Sequence, residues 1–294
     1  MSDATVSPQG GAARRIRLIS LDPGFLLLPL LLLLVCVFVL PTFWFFVNSL
    51  RETGDSFSQV VKTIFTVLTS ATIREVIINT NWIAFVVTLV SLLVAYPLAY
   101  VMSRARGLVL SLMVACVVLP YFTSVIVRTY SWMVILGRNG IVNDALLGLG
   151  IISSPLQLMY NTTSVVIGMS YVLLPYLVLT LYSSMKAIDP RLLQAARSMG
   201  ASGFYTFRRI YLPLTLNGIF SGCLIVFILA VGFFITPALM GGPRDVMIAM
   251  LIEREVELTL NWPLASIMSL FLLLITLVLY AIYYRFANLQ KMMG

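Results

Sequence analysis

No histidine occurs anywhere in the 294 residues. Its absence removes the commonest general acid or base near neutral pH and the commonest metal ligand. Cysteine is scarce: Cys36, Cys116 and Cys223 are the only three. They fall in separate apolar runs and read most simply as small packing residues. Charged residues make up only 10% of the chain. No pair of acids lies within one apolar run, so neither a proton relay nor a hydrolytic carboxylate pair has candidate residues there. There is no Gly-rich phosphate loop ending in Lys-Ser or Lys-Thr, hence no ATPase within the chain. Together these absences disfavour an enzyme and leave no expected cofactor or metal.

What the chain has in excess is apolar surface, at 60% of residues with a mean hydropathy of +1.01. Crossing about 30 Å of hydrocarbon takes roughly 20 apolar residues as helix. Six runs meet that length: Gly24 to Val47, Trp82 to Met102, Leu108 to Val127, Ser164 to Met185, Leu212 to Met240 and Leu258 to Tyr284. Backbone groups find no water in lipid, so such runs must be helices. The expected fold class is all-α, a polytopic membrane protein with six transmembrane helices. The first run is too long for a signal-peptide core and no small-residue cleavage site follows it, so it reads as a retained anchor.

Short positively charged loops stay on the cytoplasmic side. With the N-terminus inside, twelve of the 19 cations are cytoplasmic: Arg14, Arg15, Arg17, Arg104, Arg106, Lys186, Arg191, Arg197, Arg208, Arg209, Arg285 and Lys291. Only Asp3, Asp22 and Asp189 join them, giving a net +9 inside and −1 outside. Both termini are then cytoplasmic. Anionic membrane lipid accounts for the overall charge of +8 without nucleic acid.

Several runs are interrupted. Pro97, Pro120, Pro175 and Pro237 lie in or near them, and each deletes a backbone hydrogen bond. Three have a tyrosine next door: Tyr96, Tyr121 and Tyr176. Two readings are open, a headgroup-level aromatic belt or kinked helices around a water-filled path. Arg128, at the end of an apolar run and followed by Tyr130 and Trp132, divides in the same way between a functional intramembrane charge and snorkelling to the interface. Glu253, Glu255 and Glu257 with Arg254 form an acidic outer cluster, either attractive to a cationic solute or simply a solvated loop or docking edge. Gly241-Gly242-Pro243 before them reads as a loop or gate hinge.

The segment "DPRLLQAARSMGASGFYTFRRIYLPLT", 189 to 215, carries the most specific signal. Asp189-Pro190 is an N-cap with a first-turn proline. Leu192, Ala195, Ala196 and Met199 recur at helical spacing on one small apolar face. Gly200 supplies the turn. A second stripe, Phe204, Phe207 and Ile210, follows, and Leu212-Pro213 is expected to open the fifth span. A cytoplasmic helix-turn-helix with small exposed residues suits insertion into a groove on another protein.

Gln194-Ala195-Ala196, Gly200 and Ile210-x-Leu212-Pro213 resemble, at every spacing, the signature loop of type I ABC importer permeases, Glu-Ala-Ala, three residues, Gly, nine residues, Ile-x-Leu-Pro. Gln194 stands where that family has Glu, so any ion pair made by the carboxylate is absent, although Gln keeps helix propensity and hydrogen bonding. Residues 119 to 150 and 233 to 256 resemble permeases of the spermidine/putrescine importer group, with likeness from about Asn79 to Phe286 and a first-of-two-subunits look to the extended N-terminus.

The resemblance implies a methionine-importer-like permease fold. It divides the chain into a tail over 1–23, a permease domain over 24–286 with its core at 79–286 and its coupling loop at 187–211, and a tail over 287–294. It implies partners: a second permease, an ATP-binding subunit dimer that uses ATP and Mg, a periplasmic binding protein, and the lipid of a bacterial inner membrane. It places ATPase coupling at Gln194, Ala195, Ala196, Arg197, Gly200, Leu212 and Pro213. Candidates for the substrate path are Asn79, Trp82, Tyr121, Arg128, Tyr176 and Glu253. The alternative is a stand-alone secondary transporter or channel; it lacks intramembrane ionisable pairs and an evident inverted repeat. A membrane scaffold would leave the Pro-Tyr kinks without purpose.

Overall fold

A computed structural model describes residues 23–52, 54 and 57–293. Arg14, Arg15, Arg17, Asp3 and Asp22, and with them almost all of the expected N-terminal tail, lie outside the described residues. Every regular element among the described residues is helical. Five helices are long and apolar enough to cross a membrane, and a bent pair makes a sixth if it counts as one span.

Two compact units divide at Asn48 and Ser49. The N-terminal one is a Leu-rich run in which α1 (Pro23–Leu34) passes through a π-helical turn, Val35–Val39, into α2 (Leu40–Arg51). Within this unit the large apolar side chains from Leu27 to Phe45 are exposed, and a helix apolar all round suits a lipid environment.

The second unit begins with amphipathic α3 (Phe57–Thr69) and the 34-residue α4 (Ala71–Arg104). At 1.5 Å per residue α4 is about 50 Å long, well beyond the expected Trp82 start. Arg74 and Glu75 are exposed on its projecting turns, while Val76 turns inward to meet Ile248 and Met268. Buried positions Val76, Thr80, Ile83, Val87, Ser91, Ala95, Ala99 and Met102 repeat every three or four residues, one helical stripe.

That stripe meets α8 (Thr162–Lys186) and α11 (Leu212–Val231), and these three helices make the main core. Gly218 and Gly222 bring α11 against α8: a Cβ built on either would stand 2.4 Å from Ser184 Cβ or 2.5 Å from Leu177 Cδ1 respectively. This is the small-xxx-small device by which membrane helices approach closely. α4 and α8 continue through Pro97 and Pro175 without a break.

Three expected spans are corrected. Leu108 to Val127 is not one helix: α5 (Gly107–Val118) ends in a 3-10 turn, Leu119–Phe122, before α6 (Val125–Leu136) and α7 (Ile141–Gly148). The two arms bend by 102°. Pro120 starts the 3-10 turn, and Thr123 ends it by donating both its N–H (3.2 Å) and its hydroxyl (2.6 Å) to the Pro120 carbonyl.

The fifth span runs from Gly203 to Val231 rather than from Leu212 to Met240. Within it α10 (Gly203–Thr206) leads through a π-helical turn, Phe207–Tyr211, into α11. The chain breaks after Val231 and restarts as short α12 (Ile235–Met240), with Pro237 in the first turn where its missing N–H is harmless. Preceding these, α9 (Pro190–Ser198) is the expected short helix.

The last span starts at Trp262, not Leu258. α13 (Ile248–Glu257) is followed by a turn with Leu260 at φ +54°, and α14 (Trp262–Met293) begins where Asn261 Oδ1 accepts the Leu264 N–H at 3.2 Å.

Candidate functional site: an exposed capped helix and a cavity at the broken span

α9 is fixed at both ends by its own sequence. Asp189 Oδ1 accepts the Arg191 N–H at 2.8 Å, and Pro190 occupies the first turn. At the far end Gly200 adopts φ +84°. Its N–H reaches the Arg197 carbonyl at 2.9 Å and the Ala201 N–H reaches Ala196 at 3.1 Å, the paired bonds of a Schellman ending. A Cβ on Gly200 would meet nothing within 4 Å, so the glycine answers to backbone conformation and leaves its outer side open.

Gln194, Ala195, Arg197 and Gly200 are exposed, whereas Ala196 is buried within the chain. Met199 is 87% and Phe204 73% exposed. Ala196, Met199, Gly200, Ala201, Ser202, Tyr205 and Ile210 surround a hollow of about 530 Å³. An exposed apolar patch with a hollow, on a segment whose Gln194, Arg197 and Arg208 are also exposed, has the character of a protein contact surface.

The same segment is wired into the spans. Leu212 is half-buried and Pro213 exposed at the start of α11, and the preceding π-turn turns Tyr211 inward, 4% exposed. Phe207 and Tyr211 meet Tyr96 and Tyr100 of α4 at ring separations of 5.3 to 6.3 Å, all edge-on. The Arg104 guanidinium lies 4.2 Å from the Tyr100 ring centre and 5.9 Å from that of Tyr211. Tyr96 OH and Thr215 Oγ1 are 3.2 Å apart, and Ser103 Oγ and Tyr211 OH 3.4 Å. Aromatic pairs and cation–π contacts each contribute about 0.5–1.5 kcal/mol beyond burial. The turn that follows α10 is therefore packed on α4 through rings rather than joined to it by a slack loop.

At the broken span the structure brings together three of the residues singled out for a path. Tyr121 and Tyr176 share a hydrogen bond at 2.8 Å and an edge-on ring contact at 5.6 Å. Arg128, the fourth residue of α6, is only 7% exposed and lies within electrostatic range of Tyr176. A cavity of about 330 Å³ is lined by Arg128 together with two of the three prolines that neighbour a tyrosine, Pro120 and Pro175. The interrupted helices thus border a space.

Among the described residues no hydrogen bond or ring contact joins Asn79, Trp82 or Glu253 to this group. Asn79 donates its amide to the carbonyls of Arg244 (2.9 Å) and Val246 (3.0 Å), holding a loop. Trp82 is 59% exposed and stacks on Phe85. Glu253 is half-buried on α13; desolvation, then the like charge and hydrogen bond of Glu257, push its carboxyl above the ordinary range.

Other positioning residues escaped the sequence reading. Asn143, fully buried, donates to Gly137 O and Leu156 O and accepts the Leu156 N–H, all within 2.8 to 3.1 Å. α12 is held to α6 by Thr129 and Thr236 at 3.1 Å, and to α8 by the Ser164 hydroxyl on Met240 O at 2.7 Å. Gly168 leaves room for Thr236 and Met240 to approach α8. Buried Asp245 accepts from the Thr162 hydroxyl and the Gly242 N–H, which pins the expected Gly-Gly-Pro hinge. An Asn inside an apolar stretch, or an Asp two residues after a Gly-Gly-Pro, is the only sequence cue to either clamp.

Fold and site together define a multi-pass helical transport permease that carries an exposed apolar patch at α9 and α10. The chain belongs to the family described as binding-protein-dependent transport system inner membrane component, matched over residues 87–291.

Among curated relatives, the spermidine/putrescine transport system permease protein PotB of Haemophilus influenzae is 36% identical over 241 residues, 81% of this chain and 84% of that one. PotB of Escherichia coli K12 is 34% identical, covering 83% and 92%. The inner membrane ABC transporter permease protein YdcU of Escherichia coli K12 is 29% identical, covering 91% and 90%.

Of solved structures, a chain of a bacterial alginate ABC transporter in complex with an alginate pentasaccharide-bound periplasmic protein aligns with a TM-score of 0.69 at 17% identity, over 88% of this chain and 91% of that one. One from the inward-facing MetNI methionine ABC transporter aligns at 0.55 and 15%, over 75% and 98%. At those identities the likeness is one of fold. The protein is a permease component of an ABC importer in the inner membrane, with the expected fold class.

Proposed function

We propose that this chain is the first-type permease subunit of an ATP-driven importer that carries a small organic solute, a polyamine such as spermidine or putrescine or a related amino-acid-like compound, from a periplasmic binding protein to the cytoplasm. The observation that carries the reading is α9, a helix capped at both ends by its own residues and open at Gly200, followed by a π-helical turn whose rings pack on α4. Sequence likeness to PotB supports the solute class.

In this reading both termini are cytoplasmic and α9 faces the cytoplasm. Gln194, Ala195, Arg197 and Gly200 contact one ATPase subunit, Ala196 supports them from inside, and Leu212 and Pro213 join the loop to the span. ATP with Mg is bound and hydrolysed in the ATPase dimer, the chain having neither catalytic site nor cofactor of its own. A second permease completes the path. Closure of the ATPase pair pulls α9, the aromatic cluster moves α4 and α11, and the space at the broken span changes its access. Sustaining about 10⁴-fold accumulation needs roughly 5.5 kcal/mol per molecule. The domain division at 1–23, 24–286 and 287–294 belongs to the same proposal.

The test is uptake into proteoliposomes of a panel of small radiolabelled amines, with and without the ATPase, second permease and binding protein encoded alongside. Uptake that requires all of them and ATP is the expected result. Uptake by this chain alone, driven by an ion gradient, would make it a secondary transporter.

A further inference from the structure

Arg128 carries a charge that nothing among the described residues neutralises. It is only 7% exposed, and its Nε is sealed from solvent without a hydrogen-bond partner. No described acid forms an ion pair with it, and Asp245, the one described acid that is itself buried, is committed to Thr162 and Gly242. A guanidinium stays charged in any protein environment, and leaving one buried without a counter-charge is strongly unfavourable. Ser124, the N-cap of α6, makes no side-chain capping bond, so the first turn adds the positive end of the helix beside the same residue. The place calls for an anion.

Lipid, solute and protein are the possible sources of that anion, and the surroundings separate them. Acyl chains bring no charge. A phosphate headgroup is met by an arginine that snorkels, its fork held out toward water; Arg128 has the opposite posture, withdrawn into the fold with Nε sealed. A polyamine has no acid to give. Protein remains, and the importer reading requires a second permease beside this chain at the path. The 330 Å³ cavity next to Arg128 is walled by Leu98, Met113, Pro120 and Leu174, and it has room for an inserted side chain. Leu119, Phe122 and Val127, which flank Pro120 and Arg128 in the sequence, are apolar and exposed. Apolar surface around one arginine has the build of a subunit interface, whose core is poor in charge yet enriched in Arg.

From this geometry we infer that Arg128 forms an ion pair with an Asp or Glu side chain of the second permease, inserted at the cavity of the broken span. The inference rests on the importer reading above and names a residue by which the two permeases hold one another. The planar fork of Arg suits a carboxylate that takes two parallel hydrogen bonds. Pairing also cancels the positive charge on this wall, so a cationic diamine or polyamine meets a neutral pair there rather than a bare arginine. A buried pair of this kind fixes the register of the two subunits.

The test uses the complete transporter, tagged on this chain and produced with the second permease, ATPase and binding protein encoded alongside. It is immobilised by the tag and washed in detergent while release of the second permease is timed. Arg128→Gln should speed release on the order of 30-fold or more, the effect of stripping one partner from a buried charge pair. Arg128→Glu should speed it further and Arg128→Lys less. Arg128→Lys also supplies an amine for a chemical readout. Dicyclohexylcarbodiimide converts a neighbouring carboxylate to its O-acylisourea, the amine attacks the acyl carbon, dicyclohexylurea leaves and an amide joins the two chains. Mass spectrometry of the joined peptides should place the acid on the second permease. Replacing that acid by its amide should then relieve the Arg128→Gln defect instead of adding to it.

Release at the wild-type rate from both Arg128→Gln and Arg128→Glu, an amide formed only within this chain, or strictly additive losses on removing both partners would overturn the inference. So would phosphatidylglycerol retained in an Arg128-dependent way while release of the second permease ignores Arg128, which would give the site to a lipid phosphate. The ATPase is scored on the same samples. Where Arg128→Gln loses the ATPase as well, the crosslink on the milder Arg128→Lys decides. A second permease and ATPase that copurify with the wild type but are indifferent to Arg128 refute the ion pair alone, whereas absence of both from the wild type refutes the importer reading with it.

Discussion

Gly218→Ala and Gly222→Ala add the same methyl group four residues apart on α11, yet their effects should differ. A Cβ at 218 would stand 2.4 Å from Ser184 Cβ and 2.5 Å from Ser184 Oγ. Carbon contacts are comfortable at about 3.5–4.0 Å, so the overlap exceeds 1 Å, and Ser184 Cβ is bonded directly to the α8 backbone and cannot rotate away. Relief requires α8 and α11 to separate. At 222 the closest atom is Leu177 Cδ1 at 2.5 Å, with Thr180 next at 3.5 Å. Leu177 Cδ1 is the end of a flexible side chain, and a rotamer change removes the clash.

Overpacking costs about 1–3 kcal/mol, and helix propensity returns roughly 0.5–1 kcal/mol on replacing Gly with Ala. Gly218→Ala, at the upper end of the overpacking range, should thus lose about 2–2.5 kcal/mol net, and Gly222→Ala, at the lower end, about 0.5 kcal/mol or less. Thermal unfolding of the detergent-purified complex, followed by size-exclusion chromatography after heating, ranks the two. Equal midpoints, or a stabilised Gly218→Ala, would refute the close α8–α11 contact.

Replacing Tyr211 by Leu removes two edge-on or stacked ring contacts and an Arg104 contact; about 1–2 kcal/mol of stability should go, and ATP hydrolysis should continue while uptake falls, measured on the same liposomes. Asn143→Ala leaves the Leu156 N–H and the Gly137 and Leu156 carbonyls without the side-chain bonds they have now; a loss of about 2–4 kcal/mol is expected, read as a lowered unfolding midpoint, and an unchanged midpoint would show the clamp to be idle.

For Glu253 the raised carboxyl means that the folded state holds its proton at higher pH than the unfolded chain does. Its contribution is favourable at and below the ordinary carboxylate value and is lost as pH rises through the raised one. Glu253→Gln should flatten the pH dependence of α13 stability over that window, measured by hydrogen exchange, and an unaltered profile would contradict the assignment.

Much of the architecture was written in simple patterns. Ser164 to Met185 reads as a span and forms one, α8, because no charged residue interrupts its apolar length. Asp189-Pro190 and Gly200 bracket α9 because capping and positive φ are local properties of three residues. Breaks and extensions were harder. Hydropathy over Leu108 to Val127 is continuous, and only Pro120 marks the 102° bend; Pro97 and Pro175, just as visible, interrupt nothing. At Pro120 the chain has an alternative to continuing the helix, because Thr123 closes a turn on the Pro120 carbonyl.

The fifth span's end at Val231 needed Gly232 to be weighed above the apolar residues after it. Gly218-x-x-x-Gly222 is visible in the sequence as a small-xxx-small spacing, but which helix it receives is set by tertiary packing on α8. Arg128, Tyr121 and Tyr176 were named separately, and their convergence is a tertiary fact. The burial of Ala196, set among exposed neighbours, likewise follows from how α9 leans on the spans.

The central claim is that α9 is the surface through which an ATPase drives this permease. Tagged wild-type and Gly200→Asp proteins, purified from native membranes and analysed by mass spectrometry for bound partners, test it most directly. Gly200 carries φ +84° with open space beyond it, so the substitution strains one turn and places a charge on the contact surface while the spans keep their packing. Recovery of an ATPase with the wild type and its loss from the variant, at equal membrane insertion, is the predicted result. An ATPase retained equally by both, or recovered with neither, would contradict it.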